Sequence, residues 1–380
     1  MKITARLLSG EVCQVEFDEH VFKKVTKVKE DILDLPWIAP GLVDIQVNGF
    51  GGVDFNRAIE SDDAWHHATQ QLYASGCTGF LIALITNTEE GYRKLLTDLT
   101  GRIELDPRNC LGFHMEGPWL NPDPGYRGAH RAEWMRKPEV KTLEAWWKMA
   151  GPLLKLVTLA PEVDFDAAAA VIRAGVAKDI QFFLGHSAAM GEVLSGAAEV
   201  GAVGWTHLGN AAPATAPKFE NVLFHALAHP SLMASLIPDG LHLPPHVFRA
   251  LARSLNQSQP PRLLLTTDAM AAAGAGKKGK YMLGEVEVEV GDDGAARLPG
   301  SGRLAGSTLT PFEGVFRAER MSGLFLEDVW AAFSTRPASL LGMKQGIAKG
   351  NSADFCLISP EKTPYLLATY HRGKCVYEAP

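Results

Sequence analysis

Four polar residues far apart in the chain, Glu116, His186, His207 and Asp268, each close a short apolar run. Two imidazoles and one carboxylate are the ligand inventory of a catalytic divalent-metal site that keeps a position open for water or substrate. A further carboxylate beside such a site can take a proton from water and return it to a leaving group. The chemistry this set points to is metal-assisted hydrolysis, with Glu116, His186 and His207 as ligands and Asp268 as the proton-transfer residue. Singly, a histidine after a strand is more often a packing residue and an aspartate there is often a helix cap. Four at the ends of four similar segments weaken that reading. Two other histidine pairs are set aside: His66-His67 falls on a helical pattern remote from those ends, and His225 and His229 read as packing or capping residues on one helix face.

Eight apolar runs bounded by turn residues can position such a set. They end near Asn48, Thr86, Glu116, Glu162, His186, His207, the 239–242 stretch and Asp268. Amphipathic helical patterns lie between them, among them residues 62–75, 164–174, 191–199 and 244–255. Strand and helix in alternation predict a parallel sheet, and eight repeats predict closure into a TIM-type (β/α)8 barrel over an open doubly wound sheet. In a barrel the residues that follow the strands share one rim, so the third, fifth, sixth and eighth strand ends converge.

A chain of 380 residues exceeds the usual single core. Short strand patterns at 2–8, 13–17, 353–358 and 373–377 predict that residues 1–37 and 346–380 pair into a small β-sandwich domain beside a barrel of residues 38–345. Residues 274–302, with a strand pair near 281–290, predict a flap at the rim. The Pro- and Gly-rich stretch 117–130, which carries Arg127 and His130, predicts a lid. Glycine-rich turns at 48–52 and 304–307 predict close backbone approach to a ligand.

The net charge of -6, with no stripe of lysine and arginine, argues against nucleic acid as the main partner. An anionic ligand would need a local cationic pocket. Five widely spaced cysteines without a Cys-x-x-Cys pair predict free thiols in a reducing compartment. No stretch has the pattern of a signal peptide or the length of a membrane span, so a cytoplasmic location is expected.

Several stretches together resemble the N-acetylglucosamine-6-phosphate deacetylases of the amidohydrolase superfamily. They are Pro-Gly-Leu-Val-Asp-Ile-Gln-Val-Asn-Gly-Phe-Gly-Gly-Val-Asp-Phe-Asn (40–56), His-Met-Glu-Gly-Pro-Trp-Leu-Asn (114–121), Gly-His-Ser-Ala-Ala (185–189), Thr-His-Leu-Gly-Asn-Ala (206–211), Asp-Gly-Leu-His (239–242), Thr-Asp-Ala-Met (267–270) and Leu-Ala-Gly-Ser-Thr-Leu (304–309). They occur in the family's order over residues 38–345. The resemblance implies hydrolysis of the acetamide of N-acetyl-D-glucosamine 6-phosphate, with Glu116, His186 and His207 on the metal and Asp268 activating water and protonating the amine. It further implies that His130, with Ala129 beside it, and His242 contact the sugar, its phosphate or the acetyl carbonyl. Asn210, Ala211, Ala305 and Gly306 would line the sugar site, and a homodimer would form in which the neighbouring subunit reaches the phosphate.

Two departures from the pattern carry consequences. Where many superfamily members have His-x-His on the first strand, this chain has Gln46-Val47-Asn48, and neutral amides are poor ligands. One divalent ion per subunit is therefore expected, zinc ahead of iron, cobalt or manganese. Where the family places a phosphate-binding arginine, this chain has Lys218, a point charge without the bidentate fork, with Arg127 of the lid as a second cation. The galacto isomer, an unphosphorylated N-acetyl amino sugar or a non-sugar amide remain alternative substrates. An inert relative that merely senses an amino sugar would not need Asp268 beside a metal site.

Overall fold

The computed structural model describes residues 1–29, 32–276 and 278–380. All eight expected runs are strands, parallel and neighbouring in chain order: β1 (Leu42–Val47), β2 (Cys77–Ile85), β3 (Cys110–Glu116), β4 (Leu154–Leu159), β5 (Gln181–Leu184), β6 (Ala202–Trp205), β7 (Met233–Leu236) and β8 (Leu263–Leu265). Their side chains are buried on both faces, as strands wrapped inside helices must be. Helices return the chain between them, and several begin at side-chain caps. Ser61, Thr88 and Asp164 accept hydrogen bonds from the backbone amides of Ala64, Gly91 and Ala167.

No ladder joins β8 to β1. The ring is closed instead by a single bridge between Val47 and Ala269 and by the Asn48 amide donating to the Ala269 carbonyl at 2.7 Å. The buried Asp44 carboxylate of β1 completes the closure. It accepts from the Thr266 and Thr267 hydroxyls, both at 2.5 Å, and from the Thr267 amide at 3.1 Å. Burial pushes this carboxyl up to about 6 even though the threonines and amides favour its charge. The folded state thus holds the Asp44 proton more tightly than the unfolded chain. Its contribution to stability is full below pH ~4 and falls by about 3 kcal/mol as pH rises through 6. Denaturant titrations of Asp44→Asn and wild type should accordingly differ by an amount that shifts in the variant's favour between pH 4 and 7. A difference that stays flat over that range would mean that Asp44 is not a protonation-sensitive clasp.

The strands stop short of their polar followers: β5 ends at Leu184, β6 at Trp205 and β8 at Leu265. His186, His207 and Asp268 then adopt positive φ values of 50°, 34° and 49°. L-residues enter that region at a cost of roughly 1–2 kcal/mol each. The left-handed kink turns each side chain from the strand direction into the barrel mouth. Glu116 is the last residue of β3 and needs no kink, since the turn falls on Gly117 (φ 99°). Glu162 sits in a 3-10 turn, Pro161–Val163, beyond β4.

The chain ends meet in one seven-stranded sheet. Its order is Lys374–Glu378, Leu366–His371, Phe355–Ile358, Trp37–Pro40, Lys2–Leu7, Val12–Phe17 and Phe22–Lys27. Phe17, Phe22 and Phe355 form its aromatic centre, with ring centroids 5.0 to 6.3 Å apart. The segment Trp37–Pro40 runs straight on into β1, so this sheet anchors the barrel's first strand. After β8, Gly279–Leu283 and Val286–Val290 pair antiparallel in the stretch proposed as a flap. Leu283, Val288 and Val290 pack with Met270 and Ala272, which ties the flap to the loop that carries Asp268. All five cysteines are free and only Cys375 is exposed. No helix among the described residues is long and apolar enough to cross a membrane.

Candidate active site

A cavity of about 510 Å³ opens at the rim where the polar strand followers meet. That volume is in the range of small-molecule sites. Glu116, His130, His186, His207, His242 and Asp268 all line it. At its floor Glu116 Oε1 lies 2.8 Å from His207 Nε2 and 3.3 Å from His186 Nε2, while Oε2 lies 3.8 Å from His130 Nε2. Burial alone would raise the Glu116 carboxyl, but the two histidines hold it well below the usual range. Reciprocally, Glu116 raises His207 against the effect of burial.

Tautomers follow from the second partner of each ring. The Tyr126 carbonyl can only accept, so His186 Nδ1, 2.8 Å away, donates to it. Its Nε2 is thereby turned toward the Glu116 carboxylate, 3.3 Å from Oε1. His207 Nδ1 is buried and has no hydrogen-bond partner among the described residues. Two imidazole Nε2 atoms within 3.3 Å of one carboxylate oxygen are a donor set that fits a divalent metal ion.

Glu116, His130 and His186 also present ligand atoms within 4.8 Å of one another. The hydrogen bonding of His130 argues for a different role. The Thr86 amide donates to His130 Nδ1 at 3.3 Å, with the Thr86 hydroxyl at 2.9 Å from the same atom. His130 Nδ1 is therefore the acceptor and Nε2 carries the proton, so the ring offers the cavity a donor. Burial, with His186 close by, lowers its pKa to about 3 and keeps it neutral.

Asp268 accepts from Asn48 Nδ2 at 2.7 Å, and Gln46 Nε2 donates to Glu116 Oε1 at 2.9 Å. The side-chain amides of Gln46 in β1 and of Asn48 just beyond it thus point N–H groups at the site's carboxylates, where an amide oxygen would be repelled. Neither presents a lone pair toward them. Burial and the Glu116 charge push Asp268 up, partly offset by His207 and His242. His242 is oriented by Asp239, whose Oδ2 lies 2.6 Å from Nδ1 and whose other oxygen accepts the Leu241 and His242 amides.

The Pro- and Gly-rich stretch 117–130 is fastened to this cluster. The Asn121 amide donates to the His186 carbonyl, and the Asn121 side chain donates to Glu162. Glu162 Oε2 also accepts from Ser187, 2.7 Å away. Gly128 (φ 57°) passes so close that a Cβ there would lie 3.1 Å from His186 Cε1.

Ala129, Asn210, Ala211, Ala305 and Gly306 line the upper wall of the same cavity. Lys218 does not line it: its ammonium lies 5.1 Å over the Phe219 ring. His66 pairs with Asp106 at 2.8 Å and His225 with Glu220 at 3.0 Å, both at the surface. Sequence reasoning noted Gln46 and Asn48 only as departures and passed over Thr86, Tyr126 and Asp239 as orienting partners. The three-residue spacing of Asp239 and His242 was a readable signal. Tyr126 had none, because it acts through its carbonyl.

Residues 37–376 match the amidohydrolase family. The chain is 34% identical over 356 residues to the N-acetylglucosamine-6-phosphate deacetylase of Rattus norvegicus, covering 90% of this chain and 84% of that protein. It is 32% identical over 334 residues to the N-acetylglucosamine-6-phosphate deacetylase of Bacillus subtilis (strain 168), covering 85% and 81%. Among solved structures it superposes with a mutant N-acetyl-D-glucosamine-6-phosphate deacetylase from Mycobacterium smegmatis in complex with N-acetyl-D-glucosamine-6-phosphate. The TM-score is 0.88 at 27% identity, over 99% of both chains. The corresponding enzyme of Thermotoga maritima gives 0.86 at 26% identity, again over 99% of both.

Proposed function

The chain belongs to the amidohydrolase family and, within it, to the N-acetylglucosamine-6-phosphate deacetylases, and on that premise we propose how its rim cluster hydrolyses the acetamide of N-acetyl-D-glucosamine 6-phosphate to D-glucosamine 6-phosphate and acetate. It is an enzyme, a hydrolase of a linear amide bond. The observation that carries the assignment of roles is the convergence of His186 Nε2 and His207 Nε2 on Glu116 Oε1 beside a buried Asp268.

Glu116, His186 and His207 would hold one divalent metal ion, zinc in the first instance. When bound, the ion acidifies water and polarises the acetyl carbonyl. Gln46 and Asn48 favour a single ion, because their N–H groups hold the two carboxylates where a second ion's ligands would be needed. Asp268 takes the proton from the attacking water and gives it to the departing amine nitrogen. Asn48 fixes the carboxylate that does this. His130 Nε2–H donates to the carbonyl oxygen as negative charge builds on it. His242, held by Asp239, would meet a sugar hydroxyl, while Asn210, Ala211, Ala129, Ala305 and Gly306 shape the sugar pocket. Lys218 would reach the phosphate only across the interface of a homodimer. A cytoplasmic location suits a metabolic substrate of this kind.

Acetate release should be measured from N-acetylglucosamine 6-phosphate, its galacto isomer and both unphosphorylated sugars. The expected order puts the phosphorylated gluco sugar first, with one equivalent of metal per active subunit. No acetate from any of the four sugars, at any divalent metal, would overturn the reading. Two ions per active subunit would overturn the one-metal assignment.

A further inference from the structure

The hairpin of Gly279–Leu283 and Val286–Val290 turns at Gly284-Glu285, where Gly284 takes a φ of 56°. Its tip is fastened to a loop 230 residues earlier in the chain. Asp54 Oδ2 accepts from the Gly284 amide at 2.7 Å, while Oδ1 accepts from the Asn56 amide at 2.9 Å. Asn56 in turn holds the end of β2. Its Nδ2 donates to the Ala83 carbonyl at 2.9 Å, and its Oδ1 accepts from the Ile85 amide at 2.8 Å. Residues 54–56 thus fix the hairpin tip and Ile85 relative to each other, and a Cβ placed on Gly284 would lie 3.6 Å from both Asn56 Cβ and Ile85 Cδ1.

Leu283 and Ile85 pack in one apolar cluster, and both line the cavity. Ile85 pairs in register with Glu116, and the next residue, Thr86, fixes His130. On the deacetylase reading above, His130 meets the acyl oxygen and Asp268 serves the nitrogen. The methyl of the acetyl group is left to turn toward apolar side chains near Glu116 and His130, where the Leu283–Ile85 wall stands. Leu304 and Pro213, by contrast, belong to the Ala305 and Ala211 segments of the sugar-side wall. The room left for the acyl group therefore depends on where the hairpin tip sits.

We propose that Asp54 is a positioning residue for this reaction: its carboxylate latches the hairpin tip, sets the Leu283 wall, and so fixes the largest N-acyl group that turns over. The inference rests on the deacetylase reading and adds to it a limit on acyl size. Asp54 does not line the cavity itself, so it acts only through the tip. When the bond to the Gly284 amide is lost the wall can move, and each additional methylene of a longer acyl chain finds room.

The test follows amine release from N-acetyl-, N-propionyl- and N-butyryl-glucosamine 6-phosphate by metal-loaded wild type, Leu283→Ala, Asp54→Ser and the double variant. Serine keeps an oxygen for the Asn56 amide but is too short to reach Gly284. Wild type should favour the acetyl substrate. Leu283→Ala should raise the butyryl-to-acetyl ratio of kcat/KM roughly 10-fold or more, and Asp54→Ser should raise it about 3- to 10-fold. Because both changes act on one wall, the double variant should gain little over Leu283→Ala alone. A general loosening of the fold would instead lower all three rates together and leave the ratio unmoved. The inference is wrong if wild type is indifferent to acyl length, if either single variant keeps the wild-type ratio, or if the two effects multiply in full, although the deacetylase reading then stands. No amine from any of the three substrates at any divalent metal removes both.

Discussion

Asp268→Asn should lower kcat by roughly 10²–10⁴-fold while metal content stays near the wild-type value. The substitution is nearly isosteric. Asn48 Nδ2, 2.7 Å from Oδ1, can still donate to the new amide's oxygen, so the loop and its left-handed residue 268 keep their geometry. What disappears is the capacity to take and return a proton. Ionising this buried group carries a cost. Burial and the charge of Glu116 oppose its ionisation, and Asn48, His207 and His242 support it. In wild type the acid limb of the rate profile should report deprotonation of this carboxyl, since only the ionised form can accept the water's proton. The residual activity of Asp268→Asn should lack that limb. Activity above a few per cent of wild type, or an unaltered acid limb, would exclude the proton-shuttle role.

How far the sequence reaches depends on the kind of interaction. Strand runs such as β2 and β5 were legible because a parallel strand covered on both faces is mostly apolar, and turn residues mark its ends. The polar residues after them were legible because a carboxylate or imidazole there has no packing role that accounts for four at once. What the sequence could not convey is which atom of each ring faces the cavity. That is decided by a backbone carbonyl at Tyr126 and a backbone amide at Thr86, groups that every residue type possesses. The positive φ of His186, His207 and Asp268 was equally hidden, since left-handed backbone is ordinarily signalled by glycine or asparagine and here falls on two histidines and an aspartate. Closure of the barrel through Asp44 depends on Thr266 and Thr267, more than two hundred residues away, and no local pattern links them.

Glu116→Gln is expected to abolish metal binding, and with it about 10³-fold or more of the turnover. Glutamine keeps the shape of the side chain, and its oxygen can still accept from Gln46 Nε2, so the folded ion-free protein should survive. The charge that draws His186 and His207 to one point is lost, and a neutral amide does not replace it as a ligand. Wild type should gain stability on adding metal, by about 2.7 kcal/mol at a hundredfold excess over its Kd, whereas the variant should show no thermal shift. Two further variants decide which histidines complete the set. His207→Asn should lose the metal-dependent shift together with activity. His130→Asn should keep the shift and lose turnover, because the Thr86 amide makes Nδ1 of His130 an acceptor and leaves Nε2 a donor to the carbonyl oxygen. The opposite pattern, with His130→Asn metal-free and His207→Asn metal-replete, would move the ion to the Glu116, His130 and His186 cluster. It would then leave the reaction without its oxyanion donor.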